Sequence, residues 1–305
     1  MKQLAALLLV LLMTASPAMA GGDIKVSGAV ELQYRTSSDR YATQGDDKFK
    51  AEELYVRIEK EIADNLSAMI MLDAADMQNN ETSDRFVEEA QVIFKNIAGV
   101  PLDLYIGKDE MPWIQDYERF LFSSRVHGME VDKVNGAHGQ YKIDGFGSFD
   151  LAFYEREAKA KKYNVSWAES MTAKLTADGL ADNLSISLGY MKEGRDEGVE
   201  SGDKRGTSVA AMYKWNDLGV HAEIINTTAH DGSENDIYQV GADYRIGAWL
   251  IKGRYETDDT DPDKGDEIAA AGVTYYIGKN AYIVVEYEKE QDNDTETMIG
   301  FKAEY

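Results

Sequence analysis

The feature that most constrains this chain is an apolar–polar alternation of period two, repeated in segment after segment with little helical periodicity between them. In segment 24–34, Ile24, Val26, Gly28, Val30, Leu32 and Tyr34 share one face, and Lys25, Ser27, Glu31, Gln33 and Arg35 share the other. Leu54, Val56 and Ile58 then oppose Glu53, Tyr55, Arg57 and Glu59. Ala90, Val92 and Phe94 oppose Glu89, Gln91 and Lys95. The pattern returns at 66–74, 102–106, 137–143, 149–153, 173–175, 184–190, 207–215, 220–224, 238–244, 249–255, 269–277, 281–287 and 297–305, which makes sixteen segments. Successive side chains of a strand point to opposite faces, so each segment reads as a strand with one apolar and one polar side.

The amino terminus reads as an export signal. Lys2 supplies a short positive region, residues 4–12 an apolar run, and Ala18-Met19-Ala20 a small-x-small cleavage site before Gly21. The run is shorter than the roughly 20 residues a spanning helix needs. Residues 1–20 are therefore expected to be removed, leaving 21–305 as a single domain, with a retained anchor helix as the alternative.

An exported amphipathic sheet that enters lipid must close on itself, because hydrocarbon offers no partner to a backbone N–H or C=O. The expected fold is thus all-β: a closed antiparallel transmembrane β-barrel of about sixteen strands. Weak patterning at 126–143 and 158–170 leaves room for fourteen to eighteen. A mean hydropathy of -0.43 does not oppose this, since alternation keeps the average polar while one face is fully apolar. Four prolines suit an unbroken ladder. Short turns near Asp64, Gly145, Asn216, Gly247 and Gly278 alternate with long connections near 37–48, 76–83, 110–134, 158–168 and 193–204. Short turns at one end and long loops at the other are a barrel asymmetry that a soluble sandwich has no reason to show. Tyr34, Phe94, Tyr141, Tyr213, Trp215, Tyr244, Trp249 and Tyr287 fall near segment ends, where amphipathic rings favour the headgroup level.

A net charge of -23 excludes a nucleic-acid partner, whose phosphates need a basic surface. The absence of cysteine excludes disulfides and thiolate metal sites. Acidic residues gather in connections such as Asp258-Asp259-Thr260-Asp261-Pro262-Asp263 and Asp292-Asn293-Asp294. These read either as solvated loops or as an acidic vestibule that attracts cations.

In its leader, its sixteen alternating segments and its terminal aromatic Tyr305, the chain resembles the general bacterial porin family of Gram-negative outer membranes. The resemblance lies in pattern across residues 21–305, not in a diagnostic motif, and such porins more usually end in Phe. It implies a homotrimer of water-filled barrels set in the outer-membrane bilayer against lipopolysaccharide. It also implies folding by the barrel-assembly machinery and passive diffusion of small hydrophilic solutes. In porins the third external loop folds inward and narrows the channel. Here that loop is the longest connection, 110–134, and it mixes Trp113, Ile114, Phe120, Leu121 and Phe122 with charge. Folded inward, it would place Asp116, Glu118, Arg119 and Arg125 at the constriction. The alternative is an external flap or a short helix on the rim.

The inferred pore wall carries both signs. Glu31, Glu53, Asp73 and Glu89 are acidic; Arg35, Arg57, Lys95, Lys142, Arg156, Arg245, Arg254 and Lys302 are basic. A mixed wall favours general diffusion, because anion-selective pores use dense rings of Arg and Lys. With the acidic loops, the expectation is a mild cation preference. No run of aromatics on the inward face suggests a sugar track.

An enzyme is not expected. Of the four histidines, His127 lies in the long loop, His138 and His221 face inward, and His230 adjoins Asp231 on what would be the opposite face. No Gly-x-Ser-x-Gly elbow occurs. Asp259, Asp261 and Asp263 have the spacing of calcium-loop ligands, but position twelve would be Ala270 instead of Glu. No cofactor or metal site is expected. The competing reading is a structural or partner-sheathing barrel without an open channel.

Overall fold

The computed structural model describes residues 24–37, 48–73, 87–115, 126, 129–155, 170–194, 202–258, 266–290 and 295–305. Sixteen strands run in chain order. The first eight are β1 Ile24–Ser37, β2 Lys48–Ala63, β3 Leu66–Asp73, β4 Val87–Phe94, β5 Leu102–Met111, β6 Val131–Ile143, β7 Gly147–Glu155 and β8 Ser170–Ala181. The others are β9 Leu184–Glu193, β10 Lys204–Trp215, β11 Leu218–Thr228, β12 Glu234–Ile246, β13 Trp249–Asp258, β14 Asp266–Tyr276, β15 Ala281–Glu290 and β16 Thr295–Glu304.

Each strand pairs antiparallel with its sequence neighbours, and β1 pairs with β16, so the sheet closes without an open edge. The register at the seam runs from Ala29 opposite Glu304 to Ser37 opposite Glu296. The turns at one end are tight. Asp182-Asn183 joins β8 to β9 and Asn216-Asp217 joins β10 to β11, with Asn183 and Asn216 at φ 63 and 51, where asparagine is better tolerated than most residues. Both ends of the paired chain, Ile24 and Tyr305, lie at this short-turn end.

Two faces follow from the alternation. Val209, Ile224, Val240, Ile251, Val285 and Ile299 are each about half exposed on the outside. Outward tyrosines and tryptophans (Tyr34, Tyr141, Tyr213, Trp215, Tyr244, Trp249) sit towards the strand ends. The opposite positions, among them Glu31, Gln33, Ser187, Ser208, Gln239 and Glu256, are buried and line the interior. An apolar exterior around a polar interior is the inverse of a soluble domain and the expected order in lipid.

The strands extend beyond the segments legible from alternation. β5 reaches Met111 and β6 begins at Val131, with Met111 opposite Val131, so the third long connection is 112–130 and not the predicted 110–134. The ladder continues there because backbone pairing tolerates a register shift between Asp109 and Met111 that side-chain alternation does not survive.

Candidate functional site

A buried apolar cluster lies inside the barrel. Met111, Trp113, Ile114, Val126 and Val131 form one buried cluster with Ala152 and Tyr154 of β7, Met191 of β9, Ile225 of β11 and Ile237 of β12. The chain leaving β5 therefore turns into the lumen and lands on a wall several strands away.

Four polar contacts fix this landing. Ser208 Oγ of β10 donates to the Trp113 carbonyl at 2.9 Å. Lys174 Nζ of β8 donates to the Ile114 carbonyl at 2.5 Å. The Gln115 N–H donates to Glu223 Oε1 of β11 at 3.0 Å, and His221 Nε2 donates to the Gln115 carbonyl at 3.2 Å. Trp113 Nε1 also donates to the Met129 carbonyl at 3.0 Å, tying the outgoing limb to the returning one. Backbone groups taken out of a ladder need replacement partners, and here inward side chains supply them.

The seat itself is cut by glycine. A Cβ built on Gly189 of β9 would overlap the Trp113 carbonyl oxygen outright, and one on Gly206 of β10 would come within 2.7–2.9 Å of the Trp113 ring. Trp113 keeps only 1% of its surface exposed as a result. Sequence reasoning assigned no role to Gly189, Gly206, Ser208, His221 or Glu223. A signal was present nonetheless: Met191, Ile225 and Ile237 are apolar residues at inward positions, where a water-lined wall would carry polar ones.

Of the residues predicted at the constriction, Asp116, Glu118, Arg119 and Arg125 lie outside the described residues, as does wall residue Arg156. Glu53 takes its place opposite Glu31 in the β1–β2 ladder. Arg57, Met71 and Glu89 face one another across β2, β3 and β4, and Asp73 stands opposite Tyr55. Glu31 is buried, hydrogen-bonded by Gln33 and 3.7 Å from Lys302. Arg35 donates to Gln33 at 2.9 Å and lies 3.9 Å from Glu296. Arg254 pairs with Glu256 at 2.7 Å and with Glu288 at 3.2 Å, while Lys252 pairs with Glu286. Four of the predicted wall charges, Glu31, Arg35, Arg254 and Lys302, are thus brought into pairs along β13–β16 and β1. Lys95, Lys142 and Arg245 stand apart from the loop, at the short-turn end. There Lys95 lies 3.9 Å from Glu59, Lys142 2.8 Å from Asp103, and Arg245 sits 4.5 Å over the Tyr276 ring.

A second polar group lies on the inner face of β6 and β7. Asp150 accepts from His138 Nε2 and Gln140 Nε2, each at 2.9 Å, and from Ser148 Oγ at 3.2 Å, and Tyr105 stacks on His138 with ring centroids 5.1 Å apart. The serine is held by the carboxylate and not by the imidazole, which is not the order that activates a nucleophile. At the long-loop end, the Ser233 hydroxyl and N–H both donate to Asp231, holding its carboxyl below the usual carboxylate range.

A closed sixteen-stranded barrel with an apolar exterior, a charged interior and a segment drawn into its lumen defines a transmembrane β-barrel of the outer-membrane type. The chain belongs to the Gram-negative porin family, whose sequence profile matches residues 5–295. Solved structures show the same fold. One is the trimer form of OmpT, an outer membrane protein of Vibrio cholerae, with TM-score 0.69 and 12% identity over 92% of this chain and 99% of that one. The outer membrane channel DcaP of Acinetobacter baumannii gives 0.68 and 15% over 94% and 98%. Salmonella typhi OmpF in complex with daunomycin gives 0.68 and 14% over 93% and 98%. No curated protein matches the sequence.

Proposed function

We propose that this protein forms an outer-membrane pore through which small hydrophilic solutes and ions diffuse passively, with a mild preference for cations. The observation that carries the reading is the inward course of residues 112–115 onto β8–β11. On this reading Asp116, Glu118, Arg119 and Arg125, which follow the pinned segment in the sequence, are the charges that act on passing ions. The wall carries both signs, which favours general diffusion over a dedicated anion path. The acidic connections tilt the balance towards cations. Export through a leader cleaved before Gly21, assembly by the barrel-assembly machinery, contact with lipopolysaccharide and a homotrimeric state complete the reading. The trimer form of the Vibrio cholerae structure supports the last of these.

Liposome swelling with small sugars tests the open channel. Swelling is expected, and a barrel that passes no sugar would instead be a structural or partner-sheathing one. Reversal potentials in planar bilayers under a KCl gradient test the sign of selectivity, and a clear chloride preference would overturn the cation reading.

A further inference from the structure

Two buried oxygen atoms beside the anchored segment receive no hydrogen bond. They belong to Glu223 of β11 and Gln239 of β12, which stand directly opposite each other on the inner wall, 1% and 3% exposed. Glu223 Oε1 accepts the Gln115 N–H at 3.0 Å, but Oε2 has no donor. Gln239 stands between two carboxylates, Glu223 on one side and Glu256 on the other. An amide so placed can serve only one of them with its NH2 group. It donates to Glu256 Oε1 at 3.0 Å, which leaves its own Oε1 on the Glu223 side without a donor, oxygen against oxygen. Among the described residues, the one ion-pair contact of Glu223 is with His221. Its Nε2 lies 3.7 Å from Oε2 and already gives its N–H to the Gln115 carbonyl at 3.2 Å. Arg254, on β13, is held by Glu256 and Glu288.

A buried carboxylate without a counter-charge is costly, and so is a buried amide oxygen without a donor. A bridging water would donate to both oxygens but leave the charge uncompensated. A cation meets both needs at once. The two oxygens carry one negative charge between them, so a monovalent ion neutralises the pair, whereas a divalent ion would leave excess positive charge in the wall. Carboxylate and amide oxygens are hard ligands, which suit alkali-metal ions better than soft ones. No group of three His, Cys, Asp or Glu side chains arranged to hold a metal occurs among the described residues, which argues further against a divalent centre here. We propose that Glu223 Oε2 and Gln239 Oε1 form a site for a partly dehydrated alkali-metal cation behind residues 112–115. The carboxylate that binds the ion also holds the Gln115 N–H, so the ion keeps Glu223 an anionic acceptor for the inward segment. The proposal goes beyond the channel reading and does not depend on which solutes pass.

Anomalous diffraction from crystals of the full barrel soaked in rubidium chloride, with rubidium standing in for potassium, tests the site. A peak is expected within coordinating distance of both Glu223 Oε2 and Gln239 Oε1. At subsaturating rubidium its occupancy should fall at least about tenfold in Glu223→Gln, which removes the charge from the ligand. That variant keeps an oxygen for the Gln115 N–H, so the segment should stay seated. Melting of the detergent-folded barrel gives a second readout. The wild type should melt at higher temperature in potassium chloride than in tetraethylammonium chloride of equal ionic strength, because the larger ion screens charge but does not fit between the two side chains. Glu223→Gln should remove that difference. A wild-type crystal without the peak, where a proton, a water or a charged His221 meets these oxygens instead, would overturn the proposal. So would a peak or a melting difference that persists in Glu223→Gln. The wild-type diffraction needs no variant, so it decides even where Glu223→Gln fails to fold. Reversal potentials are scored separately. A cation-preferring barrel without the peak sinks the site alone, and a chloride-preferring barrel with it sinks the cation preference alone.

Discussion

At the scale of single residues, the lumen is governed by what is missing as much as by what is present. Gly189 leaves the space that the Trp113 carbonyl occupies, and no side chain larger than hydrogen fits there without moving the loop. Gly189→Val should therefore unseat residues 112–115, forfeit the Ser208 bond, and raise single-channel conductance, whereas Leu188→Val on the outer face should leave it unchanged. A lower or unaltered conductance in a folded Gly189→Val barrel would mean that the seat does not set the pore. Arg254 is the opposite kind of residue, indispensable through its charge. Its side chain is 1% exposed and lies between Glu256 and Glu288, so removing it strands two carboxylates in a poorly hydrated wall. Arg254→Ala is expected to cost about 3–5 kcal/mol in urea unfolding. Replacing the pair with Arg254→Met and Glu256→Leu together should cost clearly less, because no buried charge of that pair is then left alone.

At the scale of elements, the strands were legible because a barrel wall has lipid on one side and a polar lumen on the other, which imposes period two on each strand. Their limits were not. The segment centred on 173–175 is the middle of β8, Ser170–Ala181, and its alternation fades past Ala177, where pairing with β9 shifts register between Ala177 and Ala181. The segment at 220–224 is part of β11, Leu218–Thr228, and its pattern breaks at Ile225 because that inward isoleucine packs under the loop. Alternation thus fails where the wall seats the inward segment 112–115, and local rules are commonly broken at such positions. The closing strand shows the converse. Tyr305 exchanges both backbone bonds with Gly28, at 3.2 and 3.1 Å, and its hydroxyl end lies where a Gly28 side chain would be. Gly28→Val or loss of Tyr305 should then lower the fraction of heat-modifiable, folded barrel on gels without changing the conductance of the barrels that do form. A change in conductance with normal yield would place Tyr305 in the pore instead of at the seam.

At the scale of the whole molecule, the proposed cation preference can arise from charge or from width. The chain carries a net charge of -23, its acidic residues crowd the long connections, and on the described inner wall Lys252 pairs with Glu286, Arg254 with Glu256 and Lys302 with Glu31. Field from such a distribution reaches the permeating ion through water, over a Debye length of about 10 Å at 0.1 M salt and about 3 Å at 1 M. If the acidic loops create the cation preference, the permeability ratio should fall towards the bulk mobility ratio as KCl is raised from 0.1 to 1 M at a fixed gradient. Acidification through the ordinary carboxylate range should act in the same direction, since protonation removes the negative charge that recruits cations. A preference set by the loop's steric gap would survive the rise in salt, because salt does not alter the packing of the Trp113 seat. Reversal potentials measured along both axes, in the wild type and in Gly189→Val, separate the two origins. Electrostatic selectivity should persist in the widened variant at 0.1 M and vanish at 1 M, whereas steric selectivity should be lost at every salt concentration.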